Sequence, residues 1–174
     1  MKIGITGSTK LAKCLSDNIE ADWSFYRLIN GDVSCSTAFD CDVFINHAHV
    51  EWGQIELTER FYHKWKDDDS KLLINISSRA AQPNISMGYK YAAQKAALNH
   101  FANNIIYNSP KKFRVCTLNL GLIEDRELSS LTYSDISSTI QYVLSNDHLE
   151  FSEITVSHKE NYRSVQQQKS KRYL

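Results

Sequence analysis

Short apolar runs alternate along this chain with longer stretches in which apolar residues return every third or fourth position. The runs predict strands near residues 2–6, 24–29, 42–47, 71–77, 113–119 and 151–157, and the periodic stretches predict helices near 10–20, 52–66, 87–108 and 133–145. Strand and helix in alternation point to an α/β fold: a Rossmann-like doubly wound parallel sheet of about six strands, in one domain. Asn108-Ser109-Pro110 stops the third helix. Phe61, Tyr62 and Trp65 follow helical spacing and belong to a core or an interface. Asp67-Asp68-Asp69 reads as a solvated turn. The pattern ends near residue 158, so the expected domain is 1–158, with a polar, basic tail over 159–174 that reads as frayed, the alternative being an arm that packs on a partner subunit.

Composition narrows the function classes. The 174 residues allow a single core. Lys and Arg total 20, as do Asp and Glu, so no global field draws the chain to nucleic acid or to an anionic membrane. No apolar run approaches the roughly 20 residues of a membrane span. The first strand begins at residue 2, which leaves no room for a signal peptide before it. Cys14, Cys35, Cys41 and Cys116 show neither CxxC nor zinc spacing and read as reduced thiols, most of them buried. A cytoplasmic protein is expected.

The chemistry concentrates in Tyr91-Ala92-Ala93-Gln94-Lys95, with Ser78 thirteen residues before its tyrosine. Residues four apart share a helix face, so Tyr91 and Lys95 can point into one cleft. A tyrosine at its ordinary pKa of about 10 is a poor acid or base at neutral pH. A nearby ammonium favours the phenolate and fits the phenol for proton exchange with a carbonyl or alcohol oxygen. A serine hydroxyl in the same cleft can fix that oxygen. At the N-terminus, the strand, the Gly7-Ser8-Thr9 turn and the following helix make an anion site from backbone N–H groups.

Taken together and in order, these segments resemble the short-chain dehydrogenase/reductase family over nearly the whole chain. Thr6-Gly7-Ser8-Thr9-Lys10-Leu11-Ala12-Lys13 stands where the family has T-G-x-x-x-G-x-G. Gly31-Asp32-Val33 looks like its adenine-contacting D-V element, and Ile45-Asn46-His47-Ala48-His49 occupies the N-N-A-G strand end. Ile74-Asn75-Ile76-Ser77-Ser78 matches the serine strand, Tyr91 and Lys95 the catalytic pair, and Asn119-Leu120-Gly121-Leu122-Ile123 the P-G segment. The resemblance implies hydride transfer between a nicotinamide and a small carbonyl or alcohol substrate. Ser78, Tyr91 and Lys95 are then the catalytic set. Gly7, Ser8, Thr9, Lys10, Leu11, Arg27, Asp32, Asn46, Ala48, Tyr91, Lys95, Gly121 and Ile123 are the dinucleotide-binding residues. It also implies a homodimer or homotetramer, built on helices 52–66 and 87–108.

Departures from the family pattern qualify these roles. The second and third glycines are Leu11 and Lys13 here, which threatens the approach of the pyrophosphate. Lys10 and Arg27 stand where a 2′-phosphate would be read, so NADP(H) is favoured over NAD(H); the alternative is two ordinary surface cations. Helix 52–66 contains no asparagine for a proton-relay water, and Gln54 and Thr58 are the candidate replacements. Ser77 rivals Ser78, which the thirteen-residue spacing prefers. His47, His49 and Glu51 suggest a metal, but no further ligand is evident and no metal site is expected. A strand and helix are missing before Asp32, and the 121–132 connection is short, so the cleft should be open or completed by another subunit. The alternative to an enzyme is a degenerate member that binds a nucleotide or a protein partner without redox catalysis.

Overall fold

The computed structural model describes residues 1–82, 88–124 and 129–160. The elements run β1 (Lys2–Thr6), α1 (Lys10–Asn18), β2 (Asp22–Tyr26), β3 (Leu28–Ile29), β4 (Asp32–Val33), β5 (Val43–Asn46), α2 (Gly53–Trp65), β6 (Leu72–Ser78), α3 (Tyr89–Asn108), β7 (Arg114–Leu120), α4 (Tyr133–Ser145) and β8 (Glu153–Val156). Short 3₁₀ turns at Ser36–Asp40 and Arg79–Ala81 join β4 to β5 and follow β6.

Six strands form one parallel sheet in the order β2-β1-β5-β6-β7-β8. The fold is the Rossmann-like, doubly wound, single-domain α/β architecture expected from the alternating pattern. The chain leaves β1 toward one edge and returns on the other side at β5. A crevice therefore opens at the carboxyl ends of β1 and β5, where open α/β sheets bind ligands.

Each strand sends alternate residues to opposite faces. Ile3, Ile5, Val43, Ile45, Leu72, Ile74, Cys116 and Leu118 pack with Leu11, Leu15, Ile136 and Ile140 of α1 and α4. Phe44, Leu73 and Val115 pack with Leu57, Phe61, Trp65, Ala102 and Ile105 of α2 and α3. Thr9 caps α1, accepting from Ala12 N at 3.4 Å. Thr132 and Asp135 form a reciprocal capping box that starts α4.

The predicted 24–29 strand is a correction. β2 covers only Asp22–Tyr26, and Leu28–Ile29 folds back antiparallel on Asp32–Val33. The turn between them is Asn30-Gly31, with φ of 48° and 72°. Two successive positive φ values fit a turn whose twist matches a tight hairpin, and glycine takes that conformation without strain. This hairpin occupies the place of the missing strand and helix, and it leaves β2 as the edge of the sheet. Cysteine burial is also less than expected: Cys41 and Cys116 are buried, Cys14 is half-buried and Cys35 exposed. The third helix is observed from Tyr89; its predicted start at 87 lies outside the described residues. Most of the predicted tail, 161–174, also lies outside them. Among the described residues no helix is long and apolar enough to cross a membrane.

Candidate active site

A cleft of about 470 Å³ opens at the switch point, and Thr9, His49, Ser78, Tyr91, Lys95 and Gly121 are among the residues that line it. Four segments that are distant in sequence supply them: the entry to α1, the β5–α2 connection, the end of β6 with α3, and the residues after β7.

Lys95 is the best-defined group. It is only 3% exposed, and its Nζ donates to Gln54 Oε1 at 2.6 Å and to the Ile76 carbonyl at 2.9 Å. Nζ also stands 5.6 Å from the centre of the Tyr91 ring. Burial brings its pKa down to about 8, since removal from water disfavours the ammonium. Gln54 is held in turn, its Nε2 donating to the Asn46 carbonyl at 2.8 Å and to the Ile76 carbonyl at 3.1 Å. One amide therefore ties together β5, β6 and Lys95 of α3.

Tyr91 is 38% exposed at the cleft mouth. The ring of His49 meets it edge-on, with centroids 4.9 Å apart and planes at 85°. Both serines line the cleft, but they differ in freedom. Ser77 is 4% exposed and donates to Asn99 Oδ1 at 2.6 Å. Ser78 Oγ accepts from Ala80 N at 3.1 Å, which leaves its own hydrogen available to an oxygen in the cleft.

The N-terminal turn keeps its glycine for a physical reason. Gly7 has φ of 91°, and its N–H donates to the Tyr26 carbonyl at 2.8 Å. Leu11 is 3% exposed and belongs to the α1/α4 core, so it forms a wall of the cleft rather than a plug in the turn. Lys13, Ser8 and Lys10 are exposed. The Thr9 side chain accepts from Ala12 N, which leaves the first N–H groups of α1 for an anion. The residues present thus fit the phosphates of a dinucleotide, despite the lost glycines.

Other predicted binding residues are placed differently. Ala48 and Ile123 line the cleft with Leu11 and Gly121. Ala48 N donates to Thr6 Oγ1 at 2.9 Å, and Gly121 N to the Val156 carbonyl at 2.8 Å. Asn46 does not line it: wholly buried, its Nδ2 donates to the Gln54 carbonyl, Thr58 Oγ1 and Asn75 Oδ1 at 2.8, 3.2 and 3.0 Å. Asp32 forms an ion pair with Arg60 at 3.0 Å, outside the cleft. Arg27 is exposed where the hairpin leaves β2, its backbone N–H donating to Ser34 Oγ at 3.1 Å. Lys10, Arg27 and Asp32 lie away from the cleft lining.

His47 lines the cleft with its Nδ1 3.2 Å from the Thr6 carbonyl, and burial pushes its pKa below the usual histidine value. The pKa of His49 is also lowered, first by the water it loses and then by the charge on Lys95. Among the described residues, no group of three or more His, Cys, Asp or Glu could hold a metal.

The roles of Gln54 and His49 emerge only here. Sequence reading places Gln54 on the correct helix without linking it to Lys95. It places His49 at the N-N-A-G strand end and in a metal pair, without linking it to Tyr91. A second chain, running from the core to the exposed Glu153, was not legible at all: Asn99 Nδ2 donates to Asn119 Oδ1 at 2.7 Å and to Glu153 Oε1 at 3.0 Å, and Asn119 Nδ2 also donates to Glu153.

The sheet order and the Ser78–Tyr91–Lys95 cleft define a Rossmann-like α/β domain with an open cleft at the strand ends. No family model and no curated protein matches the chain. Solved structures do resemble it. The serine dehydrogenase of Escherichia coli is 16% identical, with 91% of this chain and 98% of that chain covered at a TM-score of 0.71. The UDP-N-acetylglucosamine 4-epimerase of Bacillus cereus is 14% identical over 91% of this chain and 78% of that one, with a TM-score of 0.67. The alcohol dehydrogenase of the archaeon Thermococcus sibiricus, complexed with 5-hydroxy-NADP, is 13% identical over 90% and 96%, at 0.64. At these identities the likeness establishes the fold. The resemblance to short-chain dehydrogenases and reductases read from the sequence is thus met in the architecture.

Proposed function

We propose that this protein is an NAD(P)(H)-dependent oxidoreductase of the short-chain dehydrogenase/reductase type, acting on a small carbonyl or alcohol. The observation that carries this reading is Lys95 held by Gln54 and Ile76 with its Nζ 5.6 Å from the Tyr91 ring, in the cleft that Ser78 also lines.

The nicotinamide, when bound, supplies or accepts the hydride. Gly7, Ser8, Thr9 and the first N–H groups of α1 hold the phosphates. Ser78 donates a hydrogen bond to the substrate oxygen and fixes its position. Tyr91 gives that oxygen a proton in the reductive direction and takes one in the oxidative direction. The Lys95 ammonium favours the phenolate that proton transfer leaves behind. Gln54 and the Ile76 carbonyl fix that ammonium.

NADP(H) is favoured over NAD(H). Related folds have been solved with NADP+ and with NAD, so the preference rests on Lys10 and Arg27. Both are exposed cations flanking the β1 turn and the end of β2, and neither belongs to an ion pair among the described residues. A 2′-phosphate is the group that would pair with them.

The test is a titration with NADPH and NADH, followed by energy transfer from the protein aromatics to the reduced nicotinamide. Micromolar binding of NADPH, with NADH weaker, is expected. Equal affinity would remove the roles of Lys10 and Arg27. No binding of either would overturn the oxidoreductase reading and leave a module that recognises a protein partner.

A further inference from the structure

Among the described residues lining the cleft, every ionisable side chain except the Tyr91 phenol is basic: Lys95, His47 and His49. No Asp or Glu joins them. The acid nearest in sequence, Glu51, is paired with Lys90 at 2.9 Å. Hydride transfer to a carbonyl needs Lys95 but gives no reason for the two imidazoles. His47 contributes to the fold, with its backbone N–H donating to Thr6 Oγ1 at 2.8 Å and its Nδ1 on the Thr6 carbonyl. His49 is tied only to side chains, those of Gln54 and Gln94. It is exposed, and its ring lies 4.9 Å from that of Tyr91, beside the expected place of the reacting oxygen.

We propose that the cleft takes an oxo or hydroxy acid, with the reacting oxygen between Ser78 and Tyr91 and the carboxylate beside His49 and Lys95. The proposal rests on the oxidoreductase reading of the same site. The short distance between the His49 and Tyr91 rings places the carboxylate near the reacting carbon, as in a 2-oxo or 3-oxo acid.

The site carries a proton signature. The groups facing His49 are Lys95, Gln94 and Tyr91 from α3 and Gln54 from α2. Lost water and the Lys95 charge favour the neutral form of the free imidazole, while side-chain hydrogen bonds with Gln54 and Gln94 pull the other way. A ligand carboxylate adds the negative charge that this set lacks and turns the balance toward imidazolium. Binding of the acid is therefore coupled to proton uptake on His49, and affinity falls as pH rises above the histidine range. A neutral analogue takes up no proton.

The experiment uses the whole chain with isotope-labelled histidine rings, followed by NMR from pH 5 to 9. Acetoacetate and pyruvate are compared with their methyl esters, with and without NADP+. The expected result is that the His49 midpoint rises by about one unit or more with an acid and stays put with an ester. His49→Gln should weaken acid binding by roughly tenfold and leave ester binding unchanged, the scale of one charge-assisted hydrogen bond. The proposal is overturned if neither acid moves the His49 titration under either condition, or if acid and ester move it alike. The two readings fail separately. A His49 response without any NADPH binding overturns the oxidoreductase reading and keeps the anion site, whereas NADPH binding with an unresponsive His49 overturns only the carboxylate.

Discussion

The two faces of the central sheet are built from different materials. Toward α1 and α4 the strands present Ile, Leu, Val and Cys along their whole length. Toward α2 and α3 they begin with Phe44, Leu73 and Val115 and end in Thr6, Asn46, Asn75, Ser77, Thr117 and Asn119, all buried. The polar half of that face coincides with the carboxyl ends of the strands, where the cleft lies. One side of the sheet supplies cohesion, and the other exchanges part of its apolar core for hydrogen bonds that orient Lys95 and the serines. Burial acts on both sides with opposite sign: it lifts Cys116 to about 12 on the aliphatic face and lowers Lys95 to about 8 on the polar one. In each case the neutral form is favoured.

The difference can be tested by substitution, beginning with the largest effect. Tyr91→Phe should reduce turnover by roughly 10²–10⁴-fold, the usual contribution of a positioned acid or base. It should leave NADPH affinity and the melting temperature nearly unchanged; turnover near the wild-type rate would remove the phenol from the chemistry. Phe61→Ala empties an aromatic site at 0% exposure, in contact with Phe44 and Trp65. Denaturant unfolding should show a loss of about 3–5 kcal/mol. Asn75→Leu takes away the acceptor used by Asn46 Nδ2 and Thr58 Oγ1 at 3.0 and 2.9 Å. Both groups keep the Gln54 carbonyl as a partner, so losing this shared acceptor should cost about 0.5–1.5 kcal/mol. If the polar half were mere filler, this substitution would be neutral or stabilising. Ile140→Val on the opposite face should cost only about 0.5–1.5 kcal/mol and leave turnover alone.

The pH dependence sharpens the same contrast. Lys95 keeps its charge below about pH 8 and loses it above. Turnover that depends on the ammonium should therefore fall as pH rises through that value. Gln54→Glu puts a carboxylate at the 2.6 Å contact and should move the falling limb to higher pH, whereas Gln54→Leu should move it lower. An identical limb in all three proteins would detach it from Lys95. Stability runs the other way. The unfolded chain holds the lysine proton up to about 10.5 and the folded chain releases it from about 8, so this group raises stability across that interval.

Much of the fold was legible because its signals are local. The alternation of Ile74-Asn75-Ile76-Ser77 and Thr117-Leu118-Asn119-Leu120 already shows one apolar and one polar face on each strand. The extended second strand was the main misreading. Asn30-Gly31 is a strong hairpin signal, and the β propensity of the residues around it concealed the turn. Leu11 was read as an obstacle in the nucleotide turn because its position matches a family glycine. Its direction depends on the rotation of α1, which packs that side chain into the core.

The sequence by itself determined the alternating elements and the shared face of Tyr91 and Lys95, because a repeat of two or four residues is set by backbone geometry within one element, whereas the strand order that makes the switch point after β1 is tertiary. The tertiary structure alone decided that Gln54 holds Lys95, that His49 stands against Tyr91, that Ser77 is committed to Asn99, and that Asn46 turns inward while Leu11 joins the core. The first three of these contacts join residues 41, 42 and 22 positions apart. They exist only once the helices have docked on the sheet at a particular rotation, and packing across the whole core sets that rotation.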